Sequence, residues 1–236
     1  DGKLKPEDIR SVAHLRGNLH HAQPAVVSIT QATELGTLYT AQEVKNICET
    51  AHELGMLVHM DGARITNAAA ALGATPQALR SFTIDAGVDV LSFGGTKAGL
   101  MFGEAVVFFN KSLATRVEYI RKQTTQLYSK MRFVSAQYVE LLQNDLMFKL
   151  ATNANNMAQA LYEQTKHHKS LGLIAPPAVN SLFPTIHEPS ASQLQEWAFF
   201  WDWDLPNHQY RWMTAWDTTQ QDIENFAEGV SQALKI

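Results

Sequence analysis

Two short apolar runs, residues 56–58 and 88–91, flank an Ala- and Leu-rich stretch at 64–87. Neither run alternates cleanly between apolar and polar positions, the pattern of strands covered on both faces. The stretch between them breaks once, at Thr75-Pro76, and reads as one or two short helices. The same order occurs upstream, with a strand at 25–30 and an amphipathic helix at 40–54. Thr40 and Glu43 have the spacing of a capping box, and Gly55 ends the helix. Alternating strands and helices with short connections predict an α/β domain around a mostly parallel sheet flanked by helices.

Downstream, 104–109 (EAVVFF) reads as a further strand. A long helical region follows from 111 to about 167, broken near Gln126 and again near Asn144-Asp145. Around 172–177 the composition turns to Gly, Pro and apolar residues, the pattern of a hinge. Beyond it, 180–187 and 210–216 read as strands, and 190–200 and 218–234 as helices. This divides the chain into a large domain, residues 1–145, and a smaller α+β C-terminal lobe, residues 146–236.

Composition narrows the class. The chain of 236 residues is 45% hydrophobic, enough to bury a full core. Its net charge of −4, with acids and bases mixed, leaves no basic stripe for nucleic acid. No apolar run approaches the roughly 20 residues of a membrane-spanning helix. Cys48 is the single cysteine and falls inside the helix at 40–54, so it reads as a buried, inert thiol in a reducing compartment, most simply the cytoplasm.

Asp61 ends one apolar strand, Arg64 follows, and Lys97 sits in a glycine-bracketed turn after the next strand. Ligands of such sheets bind beyond the carboxyl ends of the strands. A lysine to form a Schiff base and a carboxylate to hold the proton on a pyridine nitrogen are what pyridoxal phosphate requires. Ser92, Gly94, Gly95 and Thr96 leave room around the lysine. Taken singly, Lys97 reads as a solvated loop residue and Asp61 as a helix cap; their joint placement points to a site. Competing patterns are weaker. Gly94-Gly95-Thr96-Lys97 lacks the Gly before and the Ser or Thr after the lysine of a phosphate-binding P-loop. His59 and Asp61 share a strand face, but no third metal ligand supports them, so no metal is expected. The pairs His20-His21 and His167-His168 read as surface. Trp197, Phe199, Phe200, Trp201 and Trp203 read as core packing.

At these residues the chain resembles the threonine aldolase and aromatic amino acid β-eliminating lyase family, pyridoxal phosphate enzymes of fold type I. The resemblance lies in MDGAR, followed 36 residues after its Asp by the Lys of SFGGTKAG, and extends to VVSITQATELGTLYT, IRKQTTQLYSKMRF and YRWMTAW. It implies that Lys97 carries the cofactor and Asp61 partners its pyridinium N–H. Arg64 and Arg211 would meet the substrate carboxylate, and Arg132 would reach the cofactor phosphate of a neighbouring subunit in a homodimer or homotetramer with its active site at the interface. The implied reaction is retro-aldol cleavage of L-threonine or L-allo-threonine to glycine and an aldehyde. A β-eliminating lyase or phenylserine-type aldolase of the same family is the alternative.

Two departures stand out. Where many threonine aldolases carry a histidine near the substrate hydroxyl, this chain has Gln31, which the resemblance places among the substrate-binding residues but whose amide cannot act as a general base. The glycine-rich phosphate-binding turn and the aromatic residue that stacks on the ring are not evident, as if the N-terminal part of the large domain were missing. A chain of that kind would hold the cofactor poorly, and a non-catalytic fragment unable to bind it is the reading from another class.

Overall fold

Helix α2 (Ala41–Glu53) starts where the Thr40 and Glu43 spacing places it. The Thr40 hydroxyl accepts from the Glu43 amide at 3.2 Å, and the Glu43 carboxylate accepts from the Thr40 amide at 2.6 Å. Such a pair satisfies two amides that the first turn of a helix leaves open. In the computed structural model, which describes residues 1–235, α2 belongs to a first compact unit, Asp1–Phe148; a second unit begins at Lys149.

In the first unit, α1 (Pro6–Ala13) precedes β1 (Val26–Thr30) and α2. There follow β2 (Leu57–Gly62), α3 (Ile65–Ala71), α4 (Pro76–Ser81), β3 (Val90–Gly94) and β4 (Glu104–Phe108), then α5 (Val117–Thr125) and α6 (Met131–Leu141). The sheet runs β1-β2-β3-β4, parallel from β1 to β3 and antiparallel between β3 and β4. Thr75 caps α4 through the Ala78 amide at 3.0 Å, which accounts for the break at Thr75-Pro76. The helical breaks fall at Gln126, Leu127, Asn144 and Asp145, all in the left-handed region with φ between 50° and 58°. Cys48 is buried in α2, and burial, with the charges of Asp89 and Glu49 adding, pushes its thiol up to about 12.

The expectation of a sheet without alternation is corrected. Val27, Ile29, Val58, Met60, Leu91 and Phe93 are buried, whereas Ser28, Thr30, His59, Asp61 and Ser92 on the intervening positions are partly or fully exposed. Successive side chains of a strand point to opposite faces. Hydroxyl, imidazole and carboxylate groups therefore collect on one face, and the apolar residues pack on the other. Helix α1, with Pro6 at its first turn, was not expected from the sequence.

Helix α7 (Leu146–Thr165) carries the chain into the second unit. Its sheet, in the order β5-β7-β6, comprises β5 (Ser181–Leu182), β6 (Trp201–Asp204) and β7 (Gln209–Met213), with α8 (Ser190–Trp197) and α9 (Gln220–Ala233) alongside in sequence. The strand expected at 180–187 is only two residues long, because Pro184 has no amide to continue the ladder. The helix expected at 190–200 stops at Trp197, and β6 occupies the aromatic stretch. Residues 172–177 lie inside this unit, where Gly172 bridges Thr185, and do not form its boundary.

The aromatic stretch is core at one position only. Phe200 packs edge-on against Tyr210 at 5.5 Å and Trp212 at 6.1 Å. Trp197, Phe199 and Trp201 are exposed. Period-two alternation at the start of β6 turns Phe200 inward and its two neighbours outward. Among the described residues no helix is long and apolar enough to cross a membrane, and no group of three or more His, Cys, Asp or Glu could hold a metal ion.

Candidate active site

Strand β2 ends in the turn Asp61-Gly62-Ala63, and the Ala63 amide donates to Asp61 Oδ1 at 2.9 Å. That bond fixes the carboxylate. Its Oδ2 accepts no hydrogen bond among the described residues. Register sets Asp61 beside Thr30 of β1 and Ser92 of β3. Two glycines allow the turn to close. A Cβ on Gly62 would meet the Ser92 carbonyl oxygen at 2.7 Å, and one on Gly94 would meet the Ala63 backbone at 2.7 Å. Backbone against backbone at this distance excludes any side chain.

Lys97 lies in a single 3-10 turn, Thr96–Ala98, between β3 and β4. It is exposed, and its amine has no hydrogen-bond or ion-pair partner among the described residues. The turn itself is tied down. Glu104, the first residue of β4, accepts from the amides of Gly95 at 3.2 Å and Thr96 at 3.3 Å. The Thr96 hydroxyl accepts from the Gly103 amide at 3.1 Å. Tyr138 of α6 donates to the Phe93 carbonyl at 2.9 Å; burial, with the Glu104 charge adding, pushes its phenol up to about 12. The sequence reading missed Glu104 and Tyr138. For Glu104 a signal existed, because an acid opening an antiparallel strand can turn back to the amides of the preceding turn.

Asp61, Arg64 and Lys97 thus come from the carboxyl ends of two adjacent parallel strands. Arg64 is half-buried at the residue preceding α3. Gln31 directly follows β1, and its amide donates to the Asp61 carbonyl at 2.9 Å. Its side chain is fully buried and clasps Tyr39: Nε2 donates to the Tyr39 carbonyl at 2.9 Å, and Oε1 accepts from the Tyr39 amide at 3.0 Å. Arg132 is exposed on α6, its guanidinium 5.1 Å from the Phe133 ring centroid. Arg211, in β7 of the second unit, lies over the Trp203 ring at 4.7 Å.

A mostly parallel sheet flanked by helices, a carboxylate and a lysine at its carboxyl edge, and a second small antiparallel sheet define the fold of the pyridoxal-phosphate-dependent enzymes of fold type I. A solved pyridoxal-phosphate-dependent aminotransferase from Streptococcus suis shares this fold with a TM-score of 0.68 at 14% identity, over 97% of this chain and 61% of that one. More specifically, residues 1–189 match the family model described as beta-eliminating lyase, and the chain belongs to that family. It is 42% identical over 235 residues to the low specificity L-threonine aldolase of Pseudomonas sp. strain NCIMB 10558, covering 99% of this chain and 66% of that protein. Identity to the Pseudomonas aeruginosa protein of the same name is also 42%, over 97% of this chain and 65% of that one. A solved threonine aldolase from Leishmania major superposes with a TM-score of 0.88 at 30% identity, over 99% of this chain and 68% of that one. The chain spans about two thirds of the length of the curated relatives it matches.

Proposed function

We propose that this protein is a pyridoxal-phosphate-dependent lyase that cleaves L-threonine or L-allo-threonine to glycine and acetaldehyde. The observation that carries the reading is the pairing of Asp61 and Lys97 at the ends of adjacent strands, in a chain 42% identical to low specificity L-threonine aldolases. The donor set fits the cofactor: a carboxylate oxygen with no hydrogen bond and an exposed amine with no partner among the described residues, and arginines for anionic groups.

When bound, pyridoxal phosphate supplies a sink for the electron pair released as the Cα–Cβ bond breaks. Lys97 would hold it through Nζ, and its exposed turn leaves that amine accessible. Asp61 would accept the cofactor's ring N–H. The Ala63 amide holds Oδ1, so the carboxylate presents one edge. Arg64 and Arg211 bind the substrate carboxylate; a guanidinium can do so bidentately, which fixes the direction of the bond to be cleaved.

Gln31 keeps the segment after β1 in place through Tyr39, and another group takes the proton from the substrate β-hydroxyl. Arg132 reaches the cofactor phosphate of a neighbouring subunit in a homodimer or homotetramer. In support, residues 118–133 are exposed throughout and include Tyr119, Ile120, Leu127, Tyr128, Met131 and Phe133. The unpaired Cys48 accords with a place in the cytoplasm.

The test is a product assay on the purified protein supplied with pyridoxal phosphate and threonine. Glycine and acetaldehyde in equal amounts are expected. Asp61→Asn should lower turnover by orders of magnitude, and Arg211→Lys should raise KM. Release of ammonia without glycine would replace the aldol reading with β-elimination, and no turnover of either kind would overturn both.

A further inference from the structure

Three side chains, Ser28, His59 and Ser92, form a hydrogen-bonded row across β1, β2 and β3 that ends beside Asp61. Ser28 Oγ lies 2.8 Å from His59 Nδ1, and His59 Nε2 lies 2.9 Å from Ser92 Oγ. Register sets Ser28 beside His59 but Ser92 beside Asp61. The second bond therefore runs diagonally forward, toward the carboxyl ends. His59 and Asp61, two apart on β2, share the polar face of the sheet.

The chemistry of the row turns on where its protons sit. A neutral imidazole offers one N–H and one lone pair. If Nδ1–H donates to Ser28, Nε2 takes the Ser92 hydroxyl proton, and Ser92 has none left to donate. If Ser28 donates to Nδ1, Nε2–H donates to Ser92, and the Ser92 hydroxyl proton is left available beside Asp61. The second arrangement suits its surroundings, because Asp61, in register with Ser92, offers carboxylate oxygens that accept and cannot donate.

We infer that His59 is a positioning residue of this site: as the Nε2–H tautomer it leaves the Ser92 hydroxyl free to donate beside Asp61, the carboxylate that would partner the cofactor ring. The inference rests on the proposed function for its meaning, but the tautomer belongs to the chain itself.

Two measurements test it. Long-range 1H–15N correlation on the cofactor-free protein reads the neutral tautomer of His59. Nε2–H is expected, and Nδ1–H would overturn the inference. Titration with pyridoxal phosphate, followed by absorbance, then compares variants. His59→Gln keeps an N–H within reach of Ser92 and should bind the cofactor nearly as the parent does. His59→Leu and Ser92→Ala should both weaken binding about tenfold, with kcat falling more than KM for threonine. Equal affinity for the glutamine and leucine variants, whether both are intact or both lost, would make His59 a packing residue. Should the parent protein bind no pyridoxal phosphate, the proposed function falls, while the tautomer measurement still decides the role of His59.

Discussion

Gly94 lies directly against the main chain of Ala63, where an added Cβ would meet the Ala63 Cα and carbonyl oxygen at 2.7 Å. This contact joins the turn that follows Asp61 to the strand end that leads to Lys97. Neither strand end can shift without the other. Gly94→Ala must push the turns apart, and overpacking of this kind typically costs about 1–3 kcal/mol. Urea unfolding should show that loss, and covalent capture of pyridoxal phosphate should slow. An unchanged unfolding midpoint together with unchanged capture would mean that the two turns move independently.

Gln31 and Tyr39 form a closed pair in which one side-chain amide serves both main-chain groups of its partner. Gln31→Leu leaves those groups buried without partners, each worth about 1–3 kcal/mol. The expected outcome is a lowered melting temperature with KM for threonine unaltered. A raised KM at unchanged stability would instead put Gln31 in contact with substrate.

Asp89 ties together three elements at the opposite ends of the strands. It accepts from the Val58 amide and His52 Nε2, each at 2.8 Å, and from Asn110 Nδ2 at 3.2 Å. Burial pushes its carboxyl up, but the hydrogen bonds of His52, Val58 and Asn110, with the His52 charge, outweigh burial and hold it below the usual carboxylate range. A lowered folded value means stability that is complete above the unfolded value of about 3.9 and is lost as pH falls through the folded value. Asp89→Asn should therefore be less stable at neutral pH by about 1.5–3 kcal/mol, with a flatter acid limb. Urea midpoints measured from neutral pH down into the acid range decide it. An acid limb as steep as the parent's would assign the acid sensitivity to other carboxylates.

Much of the frame was legible because it is local. Thr40 and Glu43 announce α2, Thr75-Pro76 announces the start of α4, and Asp61 and Lys97 end consecutive strands. What stayed hidden depends on partners distant in sequence or on the strand period. The alternation of Ser28, His59, Asp61 and Ser92 with buried apolar residues is present in the sequence, yet only the register shows that they form one polar face. Glu104 matters through a turn back to Gly95 and Thr96, and its place as an acid at the head of a strand was the one signal of that role. In the second unit, Phe199 to Trp203 was read by composition as a core cluster, but β6 sorts it by position. Pro184 cuts short a strand that the surrounding apolar residues had lengthened.

The central claim is that Lys97 carries the cofactor, and trapping tests it most directly. The protein is incubated with pyridoxal phosphate, reduced with borohydride, digested and mapped by mass spectrometry. The account predicts one modified peptide, the one containing Lys97, and no label in Lys97→Ala. Label on another lysine in its place, or equal label in the Lys97→Ala variant, would contradict it.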